Sequence, residues 1–191
     1  MKINPQKLYG NWTEGWALDL HTVSSIPIEF GLFDTKRTPI GEELYLLKYK
    51  KERFRAKKIA EVASDFLKTK NWDIDLLIPV PPSNTERSFQ PVYEIAKFIG
   101  QFLGLPINFN ILRKIKSTSQ LKSIEDLETR RKILKDAFHI DFNVLKGKSV
   151  LILDDLYRSG ATLNAVCDVV INVGKARKVY VLTITKTRSK K

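Results

Sequence analysis

From residue 75 onward, continuous apolar runs alternate with segments that have helical spacing. The runs within residues 75–80, 149–153 and 178–185 predict strands that are buried on both faces, as in parallel sheets. Apolar residues three and four positions apart predict helices over 91–103 and 163–173. The order of strand, helix and strand predicts an α/β fold with a mostly parallel central sheet flanked by helices.

The first part of the chain, residues 1–40, has a different pattern. Apolar residues such as Trp16 and Leu18 alternate with polar ones, which is typical of a half-buried strand. With a second short strand, this segment is predicted to form a small N-terminal β appendage on the main sheet. Asp19 and His21 lie on the other face of the strand, where a surface pair is the favoured interpretation and a functional pair the alternative.

The chain carries a net charge of +12, and its densest basic run is KYKKERFRAKK at residues 48–58. Such a charge suits an anionic partner, which leaves a polyphosphate substrate, nucleic acid and an acidic protein open. The basic run is interpreted as the solvated face of a helix. The alternative is a nucleic-acid face, with Tyr45, Tyr49 and Phe54 near the positive charges.

The sequence SVLILDDLYRSGAT, at residues 149–162, contains the most informative motif. Its apolar strand ends in Asp154 and Asp155, at the edge of a parallel sheet where ligands usually bind. A glycine-containing turn then opens a helix, whose unpaired N–H groups and dipole favour an anion. Carboxylates that accept from vicinal hydroxyls, next to a phosphate cradle, fit a sugar 5-phosphate. The alternative is a strand whose last Asp caps the following helix.

This motif resembles the phosphoribosyl-pyrophosphate (PRPP) motif of the type I phosphoribosyltransferases. The resemblance implies the type I phosphoribosyltransferase fold. It also implies that Asp154 and Asp155 are catalytic residues that hold the ribose 2- and 3-hydroxyls and contact a metal ion through water or through those hydroxyls. It also implies a turn that binds the 5-phosphate. The residues of this turn are Arg158, Ser159, Gly160, Ala161 and Thr162.

A longer pattern over about residues 75–185 resembles the ComF (competence protein F) family of phosphoribosyltransferase-like proteins, which are linked to DNA uptake. The matching positions are Pro79 to Ser83, Arg87, Phe89, Gln90, Ala96, Gly104, Leu105, Pro106, Leu112, Arg113, Lys114, Thr118, Gln120, Leu121, Arg130, Ala137, Phe138 and Asp154 to Thr162.

The resemblance assigns two further parts of a substrate site. It implies a pyrophosphate loop of Val80, Pro81, Pro82, Ser83 and Arg87. It also implies a mobile lid over about residues 112–137, a long basic segment with no clear strand, as lids often are. The lid residues expected to meet the substrate are the catalytic candidates Lys114 and Arg130, together with Lys116, Thr118 and Gln120.

The implied reaction transfers the 5-phosphoribosyl group of PRPP to an unknown acceptor and releases pyrophosphate, with Mg²⁺ carried by the diphosphate. Position 158 departs from the relatives, because purine-salvage enzymes often carry an acidic residue there and ComF-like proteins usually Thr. Arg158 suits an anionic acceptor or an additional contact with phosphate. We therefore expect that purines are not the acceptors. The alternatives are a non-catalytic PRPP-binding regulator and a DNA-uptake accessory that binds single-stranded nucleic acid.

Residues 1–191 are predicted to form one phosphoribosyltransferase-like domain. The chain has one cysteine, Cys167, at an apolar helical position, so a buried structural thiol is expected and a cysteine-based zinc module is not. No apolar run approaches the roughly 20 residues of a membrane span. A cytoplasmic protein without a membrane partner is therefore expected, and a homodimer stays open.

Overall fold

The computed structural model describes residues 1–28, 31–82, 89–115 and 136–188. Along these residues the elements are β1 (Gln6–Leu8), β2 (Glu14–Leu20), β3 (Thr22–Pro27), β4 (Phe33–Arg37), α1 (Pro39–Tyr49), α2 (Arg55–Lys68), β5 (Leu76–Pro79), α3 (Pro91–Leu103), β6 (Arg113–Lys114), β7 (Phe138–His139), β8 (Ser149–Tyr157), α4 (Ala161–Asn172) and β9 (Lys178–Lys186).

Five strands form the central sheet in the order β1-β2-β9-β8-β5. The pairs β5–β8, β8–β9 and β2–β9 are parallel, and the edge strand β1 is antiparallel to its neighbour. This confirms the predicted α/β fold with a mostly parallel sheet. Because four strands run in the same direction, their carboxyl ends meet at one edge of the sheet.

Strand β8 is apolar without interruption from Val150 to Leu153 because both of its faces are covered. Val150 and Ile152 pack in the layer between the sheet and α4. Leu151 and Leu153 pack on the other side, in the layer formed with α1, α2 and α3. All four side chains are fully buried, and burial of each contributes about 1.5–3 kcal/mol. The two carboxylates of β8 therefore appear where the strand leaves the core.

Local signals place the helix ends. In α3, Pro91 occupies the first turn and Gly104 ends the helix in the left-handed conformation at φ 65°. Helix α1 begins at Pro39, because the Thr38 side chain accepts a hydrogen bond from the N–H of Gly41 and caps the helix. Cys167 is fully buried on α4, which confirms the predicted structural thiol.

The N-terminal segment differs from the prediction. Strand β2 is not part of an appendage, because it pairs in parallel with β9 and extends the central sheet. Strands β3 and β4 form a separate two-stranded hairpin, which matches the expected appendage. The pairing of β2 with β9 joins distant parts of the chain, so local alternation could not reveal it.

Two further short pairings complete the fold. After α3, Ile107 forms a single parallel bridge with Leu77 of β5. Strands β6 and β7 pair across the two ends of the predicted lid, with Lys114 opposite Phe138. None of the helices among the described residues has the length and apolar content that a membrane span requires.

A close contact at Gly41 fixes α1 against the end of β2. A Cβ atom at this position would lie 2.2 Å from the main-chain oxygen of His21, so there is no room for a side chain. We expect Gly41→Ala to lower the free energy of unfolding by about 1–3 kcal/mol, the usual cost of overpacking. Urea unfolding of the two proteins measures this difference.

Gly104→Ala provides the comparison for this variant. Gly104 has a positive φ, but a Cβ atom added there would meet nothing within 4 Å, so only backbone strain of about 1 kcal/mol is expected. A Gly41→Ala protein as stable as the wild type would show that α1 does not pack tightly against His21.

Candidate active site at the carboxyl edge of the sheet

Asp154 and Asp155 lie at the point where β8 leaves the core, as the sequence predicts. Successive side chains of a strand point to opposite faces, so the two carboxylates diverge. Asp154 lies opposite Thr183 of β9, on the face covered by α4, whereas Asp155 is directed towards α1. The N–H of Asp155 donates to Oδ1 of Asp154 at 2.8 Å, which fixes the orientation of the Asp154 carboxylate.

Lys48 of α1 forms an ion pair with Asp155. Its Nζ donates to Oδ2 of Asp155 at 2.7 Å, and only about a fifth of each side chain is exposed (20% and 19%). Burial opposes the charged form of Lys48, but the adjacent carboxylate outweighs it and raises the pKa of Lys48 above its ordinary value. Lys48 therefore stays charged and holds Asp155 in place.

The surroundings of Asp154 disfavour its charged form, in contrast to those of Asp155. Burial, with repulsion from Asp155, raises the pKa of Asp154 to about 7, although Lys48 and Lys114 oppose the shift. Burial also lowers the pKa of Lys114, while Asp154 opposes that shift, so the predicted catalytic lysine lies near this carboxylate. Of the two adjacent carboxylates, Asp155 is therefore paired with a cation, whereas Asp154 binds a proton near neutral pH.

The turn after β8 presents the amino end of α4. Gly160 adopts φ 78°, and a Cβ there would lie 2.6 Å from the hydroxyl oxygen of Tyr157, so glycine is required on both grounds. Because Gly160 occupies the N-cap position, α4 begins without a capping side chain there. Arg158 and Ser159 are exposed, Ala161 is buried and Thr162 half-buried, so the turn offers N–H groups and hydroxyls to an anion.

The N-terminal segment supports this turn from behind. The N–H of Asn11 donates to Oδ1 of Asn164 at 3.1 Å, and the side-chain amide of Asn11 donates to the main-chain oxygen of Asn164 at 3.0 Å. Asn164 in turn donates through Nδ2 to the main-chain oxygen of Gly160 at 2.9 Å. The first turn of α4 is therefore anchored independently of any ligand.

The predicted pyrophosphate loop begins beside the two aspartates. The N–H of Val80 donates to the main-chain oxygen of Leu153 at 2.8 Å, so the loop leaves β5 next to the end of β8. Val80 and Pro81 are buried and Pro82 is half-buried. The remaining loop and lid candidates lie outside the described residues. They are Ser83, Arg87, Lys116, Thr118, Gln120 and Arg130.

Comparison with known proteins places the chain in a family. The family model of the phosphoribosyl transferase domain matches residues 47–191, more than half of the chain. The chain belongs to the phosphoribosyl transferase domain family. It is 26% identical over 112 residues to competence protein ComFC of Bacillus subtilis, a match covering 59% of this chain and 45% of that protein. The match thus spans less than half the length of that relative. The predicted resemblance to the ComF-like, type I phosphoribosyltransferase family is confirmed.

The chain is also similar to solved structures of two other proteins. Adenine phosphoribosyltransferase from Thermoanaerobacter pseudethanolicus is 16% identical, with 85% of this chain and 94% of that chain covered and a TM-score of 0.41. UMP synthase of Leishmania donovani is also 16% identical, with 85% of this chain and 28% of that chain covered and a TM-score of 0.43.

Lys48 is a residue of this phosphoribosyl transferase domain that the motifs do not indicate. In the sequence it belongs to the basic run 48–58, which is interpreted as solvated. A signal was nevertheless present, because Lys48 follows Leu44 and Leu47 at helical spacing and so falls on the buried stripe of α1. A cation on a core-facing stripe needs an anionic partner, and here the partner is Asp155.

The predicted surface pair of Asp19 and His21 is wrong. Asp19 is buried and accepts main-chain N–H groups from Asn4 at 3.2 Å and Leu20 at 2.7 Å. His21 instead lies 3.1 Å, Nδ1 to Oγ1, from Thr185 of β9. The pairing of β2 with β9 moves His21 to the site edge of the sheet.

The raised pKa of Asp154 predicts how stability depends on pH. Between about pH 4 and pH 7 the folded protein binds a proton at Asp154 that the unfolded chain has largely released, so stability is expected to fall as the pH rises through this window. Asp154→Asn removes this effect, and its unfolding free energy should depend less on pH and exceed that of the wild type above pH 7. Urea unfolding at a series of pH values measures both.

Asp65→Asn is the matched control, because the Asp65 side chain is exposed on α2 and should leave the wild-type pH dependence unchanged. Parallel pH profiles for the wild type and Asp154→Asn would contradict the burial of a proton-binding carboxyl in this site.

Proposed function

We propose that this protein binds PRPP and transfers its 5-phosphoribosyl group to an acceptor, with release of pyrophosphate. One observation carries the proposal: two carboxylates precede the amino end of α4 within a single strand–turn–helix unit. Such a unit matches a ligand that has vicinal hydroxyls a few ångströms from a phosphate. Membership of the phosphoribosyl transferase domain family supports the same ligand class.

Each part of the site then has a role. Asp154 and Asp155 accept hydrogen bonds from the ribose hydroxyls, and the turn 158–162 binds the 5-phosphate. The loop that begins at Val80 faces the pyrophosphate, because β5 lies directly beside β8. Lys114, near Asp154, adds positive charge where the lid segment begins. The protein thereby positions the ribose and stabilises the charge that develops as pyrophosphate departs.

A magnesium ion fits this site only as a companion of the substrate. Within the described ranges, no group of three or more His, Cys, Asp and Glu side chains is placed to hold a metal ion. Asp154 and Asp155 would hold Mg²⁺ through water or through the ribose hydroxyls, since Mg²⁺ prefers oxygen ligands and keeps several waters. When bound, the ion neutralises charge on the pyrophosphate leaving group.

Calorimetric titration of PRPP into the protein, with and without Mg²⁺, tests the proposed site. We expect Asp155→Asn to weaken PRPP binding about tenfold or more, because a hydrogen bond to a charged group contributes about 1.5–3 kcal/mol. Asp65→Asn, remote on α2, serves as the control and should bind as the wild type does. Absence of PRPP binding by the wild-type protein under all conditions would contradict the proposal.

Pyrophosphate release separates a transferase from a non-catalytic PRPP-binding regulator. A screen of acceptors with PRPP and Mg²⁺ should give release with at least one nitrogen nucleophile. Purine bases are not expected to serve, because position 158 carries an exposed Arg. Efficient phosphoribosylation of hypoxanthine, guanine or adenine would contradict this part of the proposal, whereas PRPP binding without any release would favour the regulator.

Binding of single-stranded nucleic acid is a second candidate, favoured by exposed aromatic rings beside the basic run 48–58. Tyr49 and Phe54 are 62% and 67% exposed, and the guanidinium of Arg55 lies 4.6 Å from the ring of Phe54. Exposed rings among cations can stack on bases. Binding of an oligonucleotide that falls steeply with salt and is lost in Phe54→Ala would support it. Binding unaffected by that substitution would exclude this surface.

A further inference from the structure

We propose that His21 is the general base that accepts a proton from the acceptor nucleophile, through its Nε2 atom. This inference rests on the proposed transferase function and extends it to the acceptor side of the site. His21 follows β2 at the carboxyl edge of the sheet, where Asp155 lies just beyond the apolar part of β8. The hydroxyl of Thr185 connects the two residues.

The Thr185 hydroxyl sets the tautomer of His21. This residue is fully buried, and its hydroxyl donates to the main-chain oxygen of Asp155 at 3.3 Å. Its only hydrogen is thus used, and the same oxygen lies 3.1 Å from Nδ1 of His21. Nδ1 therefore carries the hydrogen and donates to Thr185, which leaves Nε2 as an unprotonated nitrogen with a lone pair.

The surroundings keep the imidazole neutral. Burial, with repulsion from Arg37 of β4 and Lys48 of α1, lowers the pKa of His21 below its ordinary value. Asp155 of β8 and Glu42 of α1 attract the charged form and oppose part of this shift. At neutral pH the ring is therefore ready to accept a proton, which is the state that a general base requires.

The main chain of His21 is fixed by close contacts on two sides. The N–H of His21 donates to the main-chain oxygen of Lys186 at 2.7 Å, and the main-chain oxygen of His21 lies against Gly41 at the start of α1. The residue is thus held by β9 on one side and by α1 on the other. A base on such a framework needs little reorganisation during the reaction.

The strand order places His21 on the side from which a nucleophile would arrive. The pyrophosphate loop leaves β5, which flanks β8 on one side, whereas β9 and β2 flank it on the other. A nucleophile approaches C1 of the ribose opposite to the leaving group. With pyrophosphate on the β5 side, the acceptor therefore enters on the side of β9 and β2, where His21 lies.

The proposed step conserves atoms and charge. The nitrogen of the acceptor forms a bond to C1, the bond from C1 to the pyrophosphate oxygen breaks, and its electron pair leaves with pyrophosphate. The proton on the acceptor nitrogen passes to Nε2 of His21 and gives the imidazolium. The acceptor class is therefore a nitrogen nucleophile with a removable N–H. Arg158 of the neighbouring turn cannot accept this proton, whereas the neutral imidazole of His21 can.

Nitrogen NMR of the ligand-free protein tests the tautomer without any substrate. We expect His21 to be neutral at pH 7 with hydrogen on Nδ1. Thr185→Val should change the tautomer population or the titration of the ring. The matched control is Thr183→Val, because the hydroxyl of Thr183 is buried and has no hydrogen-bond partner among the described residues. Hydrogen on Nε2 in the wild type, or an imidazolium at pH 7, would overturn the proposal.

Pyrophosphate release from PRPP as a function of pH tests the role in the reaction, with water as the acceptor that is always present and with any acceptor found by screening. His21→Asn keeps a donor for Thr185 but removes the base. We expect release to slow at least about tenfold and to lose the rise with pH that the wild type shows as His21 deprotonates, while PRPP binding stays unchanged.

The outcomes separate the two proposals. Wild-type protein that does not bind PRPP contradicts the proposed function itself. Wild-type protein that binds PRPP but releases no pyrophosphate with water or any acceptor overturns the role of His21 and leaves the binding site intact. Release by His21→Asn at the wild-type rate and with the wild-type pH profile also overturns it.

Discussion

The burial of β8 on both faces is the constraint on which the rest of the structure depends. Its apolar side chains are covered by α4 on one side and by α1 to α3 on the other, so its carboxylates are confined to its carboxyl end. Parallel neighbours end at the same edge. The parallel pairing brings Thr185 and His21 to Asp155, and the packing of α1 on the sheet brings Lys48 to the same carboxylate. All of these residues are far apart in the sequence.

Adjacent carboxylates at the end of a buried strand repel each other, and the protein resolves this repulsion unequally. Asp155 is stabilised by Lys48, whereas Asp154 meets burial and a like charge and binds protons near neutral pH. This arrangement costs stability at higher pH, because Asp154 must ionise at the edge of the core. It is the kind of local cost that functional sites commonly retain.

Sequence reasoning recovers the features that local rules determine. The apolar run of β8, the glycine turn before α4 and the Pro and Gly at the ends of α3 are all predictable from residues a few positions apart. The parallel pairing of β2 with β9 is not, because register between distant segments leaves no local pattern. For that reason the local pattern assigns the N-terminal strand to an appendage and pairs His21 with Asp19. The role of Lys48 could not be predicted from the sequence because its partner, Asp155, lies on a different element. Its position on the buried stripe of α1 can nevertheless be recognised from the spacing of the apolar residues.

Chemical-shift mapping of the folded protein with Mg²⁺ and PRPP tests the central claim most directly. The account predicts that the largest amide shifts fall on Asp154, Asp155 and the turn from Arg158 to Thr162. Smaller shifts are expected at Lys48, and none at the exposed residue Asp65 of α2. Shifts confined to the basic run, with the amides of Gly160 and Ala161 unmoved, would contradict a sugar-phosphate site at the carboxyl edge of the sheet.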